Sequence, residues 1–162
     1  EVLQTSHETV STWIDLLDRL YFSFRLRPYS SKVSRSLLEE AKLYLWDWSE
    51  VAGDGPRFEN LMASHLLKFC HYLHDAEGIR AELRFLRDVE GREVDFLLTV
   101  DGKPWFCVEA KTSDKTLSRP LLQFKENLNL PLAYQVLREP GEDYIKDGVR
   151  VISADKFLTA LA

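Results

Sequence analysis

Long hydrophobic runs are missing from this sequence. Nowhere do about 18 apolar residues follow one another, the number a helix needs to span a bilayer, and no basic-then-apolar leader opens the chain. Both absences lead us to expect no membrane partner and a cytoplasmic location. Cysteine is scarce: only Cys70 and Cys107 occur, far apart and each in an apolar segment. Reduced thiols are the default in a cytosolic protein. Positive charge is in deficit, with 21 Lys and Arg against 26 Asp and Glu and a formal net charge of −5. That balance excludes a simple nucleic-acid coat, which needs a basic surface to displace counterions. It leaves room for an enzyme with a local basic rim. Basic residues gather at Arg25/Arg27, Lys32/Arg35 and Lys111/Lys115/Arg119, and the first two groups read as ordinary solvated charge.

Several chemistries are also absent. There is no G-x-x-x-x-G-K-[ST] phosphate loop, and no Ser/His/Asp or Cys/His nucleophile arrangement stands out. "CHYLH" places Cys70, His71 and His74 together, but no fourth ligand accompanies them and Cys70 belongs to an apolar helical stripe, so zinc is not expected. Of the four tryptophans, only Trp105 falls near the polar groups discussed below; packing is the default role for the others.

What is present describes a globular chain: 162 residues, 45% hydrophobic and 29% charged, enough for one domain with a small appendage. It opens at Glu1 within an amphipathic stretch, which leads us to expect a piece of a longer protein. Residues 5–21 read as a helix, with Thr5 and Glu8 as a capping box and Val10, Trp13, Ile14, Leu17, Leu20 and Tyr21 as its stripe. "FSFRLR" then alternates like a strand, giving the closing half of a winged-helix pattern. Glu8, Asp15 and Asp18 make the helix a poor reader of DNA, so a packing or interdomain role is expected.

A polar connection follows, containing a short helix at "SRSLLEEA", and "KLYLWDW" reads as a strand. "AGDGP" (52–56) is the strongest breaker cluster, dividing a connector region, 1–50, from a main domain, 51–162. Beyond it the pattern predicts an amphipathic helix over 57–73 and a strand at "AELRFLRD". A hairpin follows at 91–111, then a helix at "RPLLQFKENLN", strands at "LAYQVLR" and "GVRVIS", and a last helix capped by Ser153. Helix, three strands, helix, two strands, helix is an α/β sandwich.

The hairpin "GREVDFLLTVDGKPWFCVEAK" carries the chemistry, because Asp95, Glu109 and Lys111 lie inside strands that otherwise read as core. Charges there are costly unless paired, bound to an ion or facing an open site. A two-residue Asp101-Gly102 loop would place Asp95 and Glu109 on opposite faces. A three-residue loop, Val100 to Gly102, sets Asp95 opposite Cys107. It gathers Val94, Phe96, Leu98, Phe106, Val108 and Ala110 on one face and the three charges on the other. A bulge gives the same parity. Core burial favours this arrangement, in which two carboxylates on strands about 4.8 Å apart converge on one divalent ion. An ion-pair network on an exposed sheet face is the competing explanation.

"EVDFLL…VEAK" resembles the PD-(D/E)XK core of restriction-endonuclease-like proteins, with Val94 in place of the motif's proline. The resemblance implies a mixed central sheet flanked by helices, with a winged-helix-like segment before it. It implies that Asp95 is the first acid and that Glu109 and Lys111 form the (D/E)XK element. Glu59 resembles the extra helical acid of many members, and Gln123 a glutamine found after the core in several branches. "TVSTWIDLLDRLYFSFRLRPY", "KLYLWDW" and "RFENLMASHLLK", in order with the hairpin, look like the uncharacterised C-terminal region that follows an AAA+ ATPase module in many prokaryotic proteins.

These likenesses imply Mg²⁺ or Mn²⁺ held by Asp95, Glu109, the Ala110 carbonyl and Glu59. They imply phosphodiester hydrolysis of DNA, aided by Lys111 and Gln123, and an N-terminal ATPase as partner. The alternative is a nuclease-fold module without turnover that binds DNA, a partner protein or a second copy of itself.

Overall fold

The computed structural model describes residues 5–29 and 41–161. Helix α1 (His7–Arg19) starts one residue later than the capping box suggested: Ser6 is its N-cap, and the Ser6 hydroxyl accepts the Thr9 N–H at 3.1 Å. Strands β1 (Ser23–Leu26) and β2 (Lys42–Leu45) pair antiparallel as a separate two-stranded sheet. Most of "SRSLLEEA", along with Lys32 and Arg35, lies outside the described residues. Val10 and Trp13 of α1, with Leu20 and Tyr21 just after it, are exposed, so much of the apolar stripe faces outward. The helix is held to β1 mainly by polar contacts: the Arg25 guanidinium bonds Asp15 and Asp18, and the Ser23 hydroxyl donates to Asp18, each at 2.6 Å.

Helix α2 (Asp54–Glu77) follows, then strands β3 (Ala81–Arg87), β4 (Glu93–Val100) and β5 (Lys103–Lys111), helix α3 (Arg119–Asn127), strands β6 (Leu132–Leu137), β7 (Asp143–Lys146) and β8 (Val149–Ser153), and helix α4 (Ala154–Thr159). The six strands form one mixed sheet in the order β3-β4-β5-β6-β8-β7. Pairing is parallel for β5-β6 and β6-β8 and antiparallel elsewhere. The sequence pattern does not predict strand β7. Its "DYIK" lacks an apolar face and is exposed throughout, but it turns into β8 through Asp147 and Gly148, both at positive φ, a hairpin geometry that Asp-Gly suits. Ser153 does stand at the N-cap of α4, yet its buried hydroxyl makes no capping bond.

Both faces of the sheet are buried. Phe58, Met62 and Leu66 of α2 pack with Phe85, Phe96, Leu98, Phe106 and Val108. On the other face Leu121 of α3 packs with Leu86, Val94, Leu97, Cys107 and Val151. Each fully buried large apolar side chain contributes about 1.5–3 kcal/mol of transfer free energy. Two cores explain why the central strands run almost continuously apolar instead of alternating. They also correct the expected hairpin faces. Val94 and Phe96, two residues apart, belong to different cores, because Phe85 of β3 stands opposite both Asp95 and Phe96 where the register shifts.

The turn between β4 and β5 is also corrected. Val100 pairs with Lys103, leaving the two-residue loop Asp101-Gly102 with φ of 50° and 74°. Thr99 pairs with Pro104 but Leu98 with Phe106, so Trp105 is an extra residue in β5. Beyond that bulge Phe96 faces Val108, and the next step sets Asp95 beside Glu109 rather than opposite Cys107. Trp105 itself packs against Phe69 and Phe106 in the α2-side core.

Backbone hydrogen bonds latch the β1-β2 unit to β3 and to α2. Residues 27–29 run beside β3, with the Tyr29 N–H donating to the Phe85 carbonyl at 2.8 Å and the Phe85 N–H to Arg27 at 3.3 Å. The buried Asn60 of α2 accepts the Leu45 N–H at 2.8 Å and donates to the Leu45 carbonyl at 2.7 Å, acting as one more strand partner for β2. Replacing Asn60 by Ala strands both backbone groups. We expect it to cost about 1–3 kcal/mol in urea unfolding, with faster amide exchange at Tyr44 and Leu45 but not in β5. Unchanged exchange at those amides would show that the latch lies elsewhere.

Candidate functional site

The bulge in β5 and the register shift in β4 deliver the charged residues to a cleft of about 340 Å³ beside the start of α2. Glu59, with Gly55 and Pro56, forms one wall; Asp95 lies on β4, and Glu109, Ala110 and Lys111 end β5, with Thr112 just beyond. Glu59, Asp95, Glu109, Ala110 and Lys111 are thus brought together. Gln123 is on α3 and does not line the cleft.

Asp95 Oδ2 accepts the Ala110 N–H at 3.0 Å, locking β4 to β5 at the acid. Glu109 is 6% exposed; its Oε1 pairs with Lys111 Nζ at 2.8 Å, while Oε2 is buried with no hydrogen-bond partner. Such an orphaned carboxylate oxygen is costly.

Residues missed from the sequence complete the charge balance. Lys42, from β2, projects among the acids: its Nζ lies 2.6 Å from Glu93, 2.9 Å from Glu59 and 3.4 Å from Asp95. It also sits over the Phe85 ring. The Tyr44 hydroxyl, two residues along the same strand, donates to Glu59 at 2.7 Å. Glu93 uses its other oxygen for Arg87 at 2.6 Å. The i, i+2 spacing of Lys42 and Tyr44 was readable as one strand face, but nothing local says that this face meets α2.

A further glutamine supports the loop after Lys111. The buried Gln135 of β6, in register with Glu109, accepts the Ser118 N–H at 2.9 Å and donates to the Asp114 and Thr116 carbonyls at 3.1 Å.

Electrostatics follow from this crowding. Burial, then the Glu109 and Glu59 carboxylates, push Asp95 up to about 7 from 3.8, against the opposing pull of Lys42 and the Ala110 N–H. Burial alone would lower Lys42, but Asp95, Glu59 and Glu93 more than reverse it and hold the ammonium charged. Burial likewise opposes the charge on Lys111, and its bond to Glu109 outweighs that, raising its pKa. Burial raises Tyr44, with Glu59 adding to the shift, so Tyr44 is a neutral donor. Cys70 and Cys107 are free and buried, each pushed up to about 12 by burial, which makes neither a nucleophile nor a thiolate ligand.

Among the described residues, no cluster of three or more acid, imidazole or thiol side chains stands ready to hold an ion; the three carboxylates that do converge, those of Glu59, Glu93 and Asp95, surround the Lys42 ammonium. Asp95 and Glu109 nevertheless suit Mg²⁺, which keeps several waters and is commonly bound through one or two carboxylates. A hard cation would also satisfy the orphaned Glu109 oxygen.

Residues 54–157, more than half of the chain, match the family model described as "Domain of unknown function (DUF4143)". The chain belongs to that family. The domain is found in AAA-ATPase-associated proteins. The matched segment begins with α2 and contains Glu59, Asp95, Glu109 and Lys111, whereas Lys42 and Tyr44 precede it. No curated protein and no solved structure matches the chain. No helix among the described residues is long and apolar enough to cross a membrane.

Asp95 gives the metal-free protein a pH-dependent stability. Its folded pKa lies above the ordinary 3.8, so between about pH 4 and 7 the native state holds a proton that the unfolded state has released. Stability therefore falls as pH rises through that window, at up to about 1.4 kcal/mol per unit. Asp95→Asn should remove that slope. Urea unfolding in chelator at about pH 5 and about pH 8 measures it; the same slope in both proteins would refute the assignment.

Proposed function

We propose that the cleft is a metal-dependent phosphodiesterase site acting on DNA, in a PD-(D/E)XK restriction-endonuclease-like domain that serves an attached ATPase. The observation that carries this reading is the Asp95/Glu109 pair, set side by side across β4 and β5 with Lys111 beside it and one Glu109 oxygen unpartnered. The α2–sheet–α3 layering supports the fold assignment, and α1 followed by β1-β2 supports a winged-helix-like segment before it.

Asp95, Glu109 and the Ala110 carbonyl would hold Mg²⁺ or Mn²⁺. When bound, the ion supplies Lewis acidity toward a phosphoryl oxygen and makes water a stronger nucleophile. Lys111, at the cleft wall, orients that water or offsets charge developing on phosphorus. Glu109 places the Lys111 ammonium through their 2.8 Å contact, and the Asp95–Ala110 bond keeps the two strands from separating at the site. The net charge of −5 restricts nucleic-acid contact to a local basic rim, which Lys111, Lys115 and Arg119 would supply.

A second reading has its own observation. Because the Lys42 ammonium already contacts Glu59, Glu93 and Asp95, the domain would serve as a nuclease-fold module that binds DNA or protein without turnover. Calorimetric titration with Mn²⁺ separates the two. The catalytic reading expects binding by the wild type that Glu109→Ala abolishes. It also expects Lys111→Ala to keep the ion while cleavage of single-stranded, nicked or branched DNA falls by about 10²–10³. No Mn²⁺ binding by the wild type overturns it.

A further inference from the structure

We propose that Lys42 is a tethered cation that takes the place of a second divalent ion among Glu59, Glu93 and Asp95, limiting the cleft to one ion between Asp95 and Glu109. The inference rests on the metal reading above for the first ion, but the role of Lys42 stands on its own geometry.

An ammonium has three N–H donors, and here three carboxylates surround the single Lys42 Nζ at 2.6, 2.9 and 3.4 Å. The Lys42 side chain is 17% exposed, so the arrangement is part of the folded interior rather than a solvated surface pair. Glu59, the helical acid that would hold a second ion, has its Oε1 bonded to both Lys42 and Tyr44. The remaining oxygen of Glu93 is bonded to Arg87. A divalent ion at this place would meet a fixed positive charge within contact distance. By contrast, the unpartnered oxygen is on Glu109, whose cationic neighbour is Lys111 rather than Lys42.

Strand β2 cannot drift away to free the acids, because Asn60 binds the Leu45 backbone in both directions three residues beyond Lys42. Lys42 enters from the β1-β2 unit, ahead of the segment the family model covers. The ion count is therefore determined by an element outside that segment.

Mn²⁺ titration by calorimetry, with equilibrium dialysis to count bound ions, tests this on the full chain. Lys42→Met keeps the aliphatic stem over Phe85 and removes the charge. The expected count rises from one ion in the wild type to two in Lys42→Met, and returns to one in Lys42→Met/Glu59→Gln. In the wild-type background Glu59→Gln should change Mn²⁺ affinity by less than about threefold, against the tenfold or greater loss expected for removing a ligand. Circular dichroism and thermal melting verify folding, and Lys42→Gln replaces the methionine variant if that protein does not fold.

An equal count in the wild type and the folded Lys42 variant overturns the proposal, as does a wild type that binds two ions or a tenfold loss in Glu59→Gln. A wild type that binds none, with one ion gained on removing Lys42, overturns the catalytic reading and sustains this one.

Discussion

Two carboxylates held side by side at the end of an apolar sheet are the constraint around which the other features are arranged. Asp95 and Glu109 repel each other, and burial makes each charge harder to sustain. The surrounding residues offset that cost in different ways. A backbone N–H binds Asp95, Lys111 neutralises one Glu109 oxygen, and Lys42 reaches in from a separate strand. The compensation is incomplete: Asp95 remains well above its ordinary pKa and one Glu109 oxygen has no partner. A site that stores unfavourable charge in this way is suited to holding a cation, and a purely structural ion-pair network would gain nothing from the orphaned oxygen.

The scaffold tolerates this burden because it is stable on both sides. Cores against α2 and α3 clamp the middle of β4 and β5, where Leu97, Leu98, Cys107 and Val108 are inaccessible to solvent. Charges enter only where the strands leave those cores, next to the first turns of α2. One register irregularity, at Asp95 and Phe96, sits in that stretch, and the other, at Trp105, lies nearer the hairpin turn. Each adds a residue that turns the backbone, and together they aim Asp95 toward α2 while keeping Glu109 beside it. The N-terminal strand pair bonds its own helix through Arg25, Asp15, Asp18 and Ser23, and the main domain through Asn60. Its strand β2 therefore functions as part of the site, although α1 leaves Trp13, Leu16 and Leu20 exposed.

Much of the fold was legible in the residues. Phe58, Met62, Leu66 and Cys70 recur at helical spacing and do face the core, and β3, β4, β5, β6 and β8 announce themselves through short apolar runs. The association of Asp95, Glu109 and Lys111 also followed from sequence, because an acid in one core strand and Glu-x-Lys at the end of the next have few tolerable environments, whereas Glu59 was expected there only through the family resemblance. The apolar pattern of the hairpin implies the observed parity but not the observed two-residue loop. Counting apolar residues requires an odd shift between the strands, but a longer turn and a bulge supply it equally well. Trp105, with its ring in the α2-side core, supplied the shift.

By itself, then, the sequence determined which segments become helices and strands and which charged groups must share an environment, since periodicity and the cost of buried charge act locally along the chain. Tertiary structure alone decided that Val94 and Phe96 enter different cores, that β7 extends the sheet edge, and that Lys42 becomes the counter-ion of Glu59, Glu93 and Asp95. The last of these outcomes depends on contacts between residues far apart in sequence: the nearest of these acids to Lys42 is separated from it by the rest of β2, a breaker and the first turn of α2. No local pattern encodes such a meeting, because its energy exists only once β2 has docked on α2.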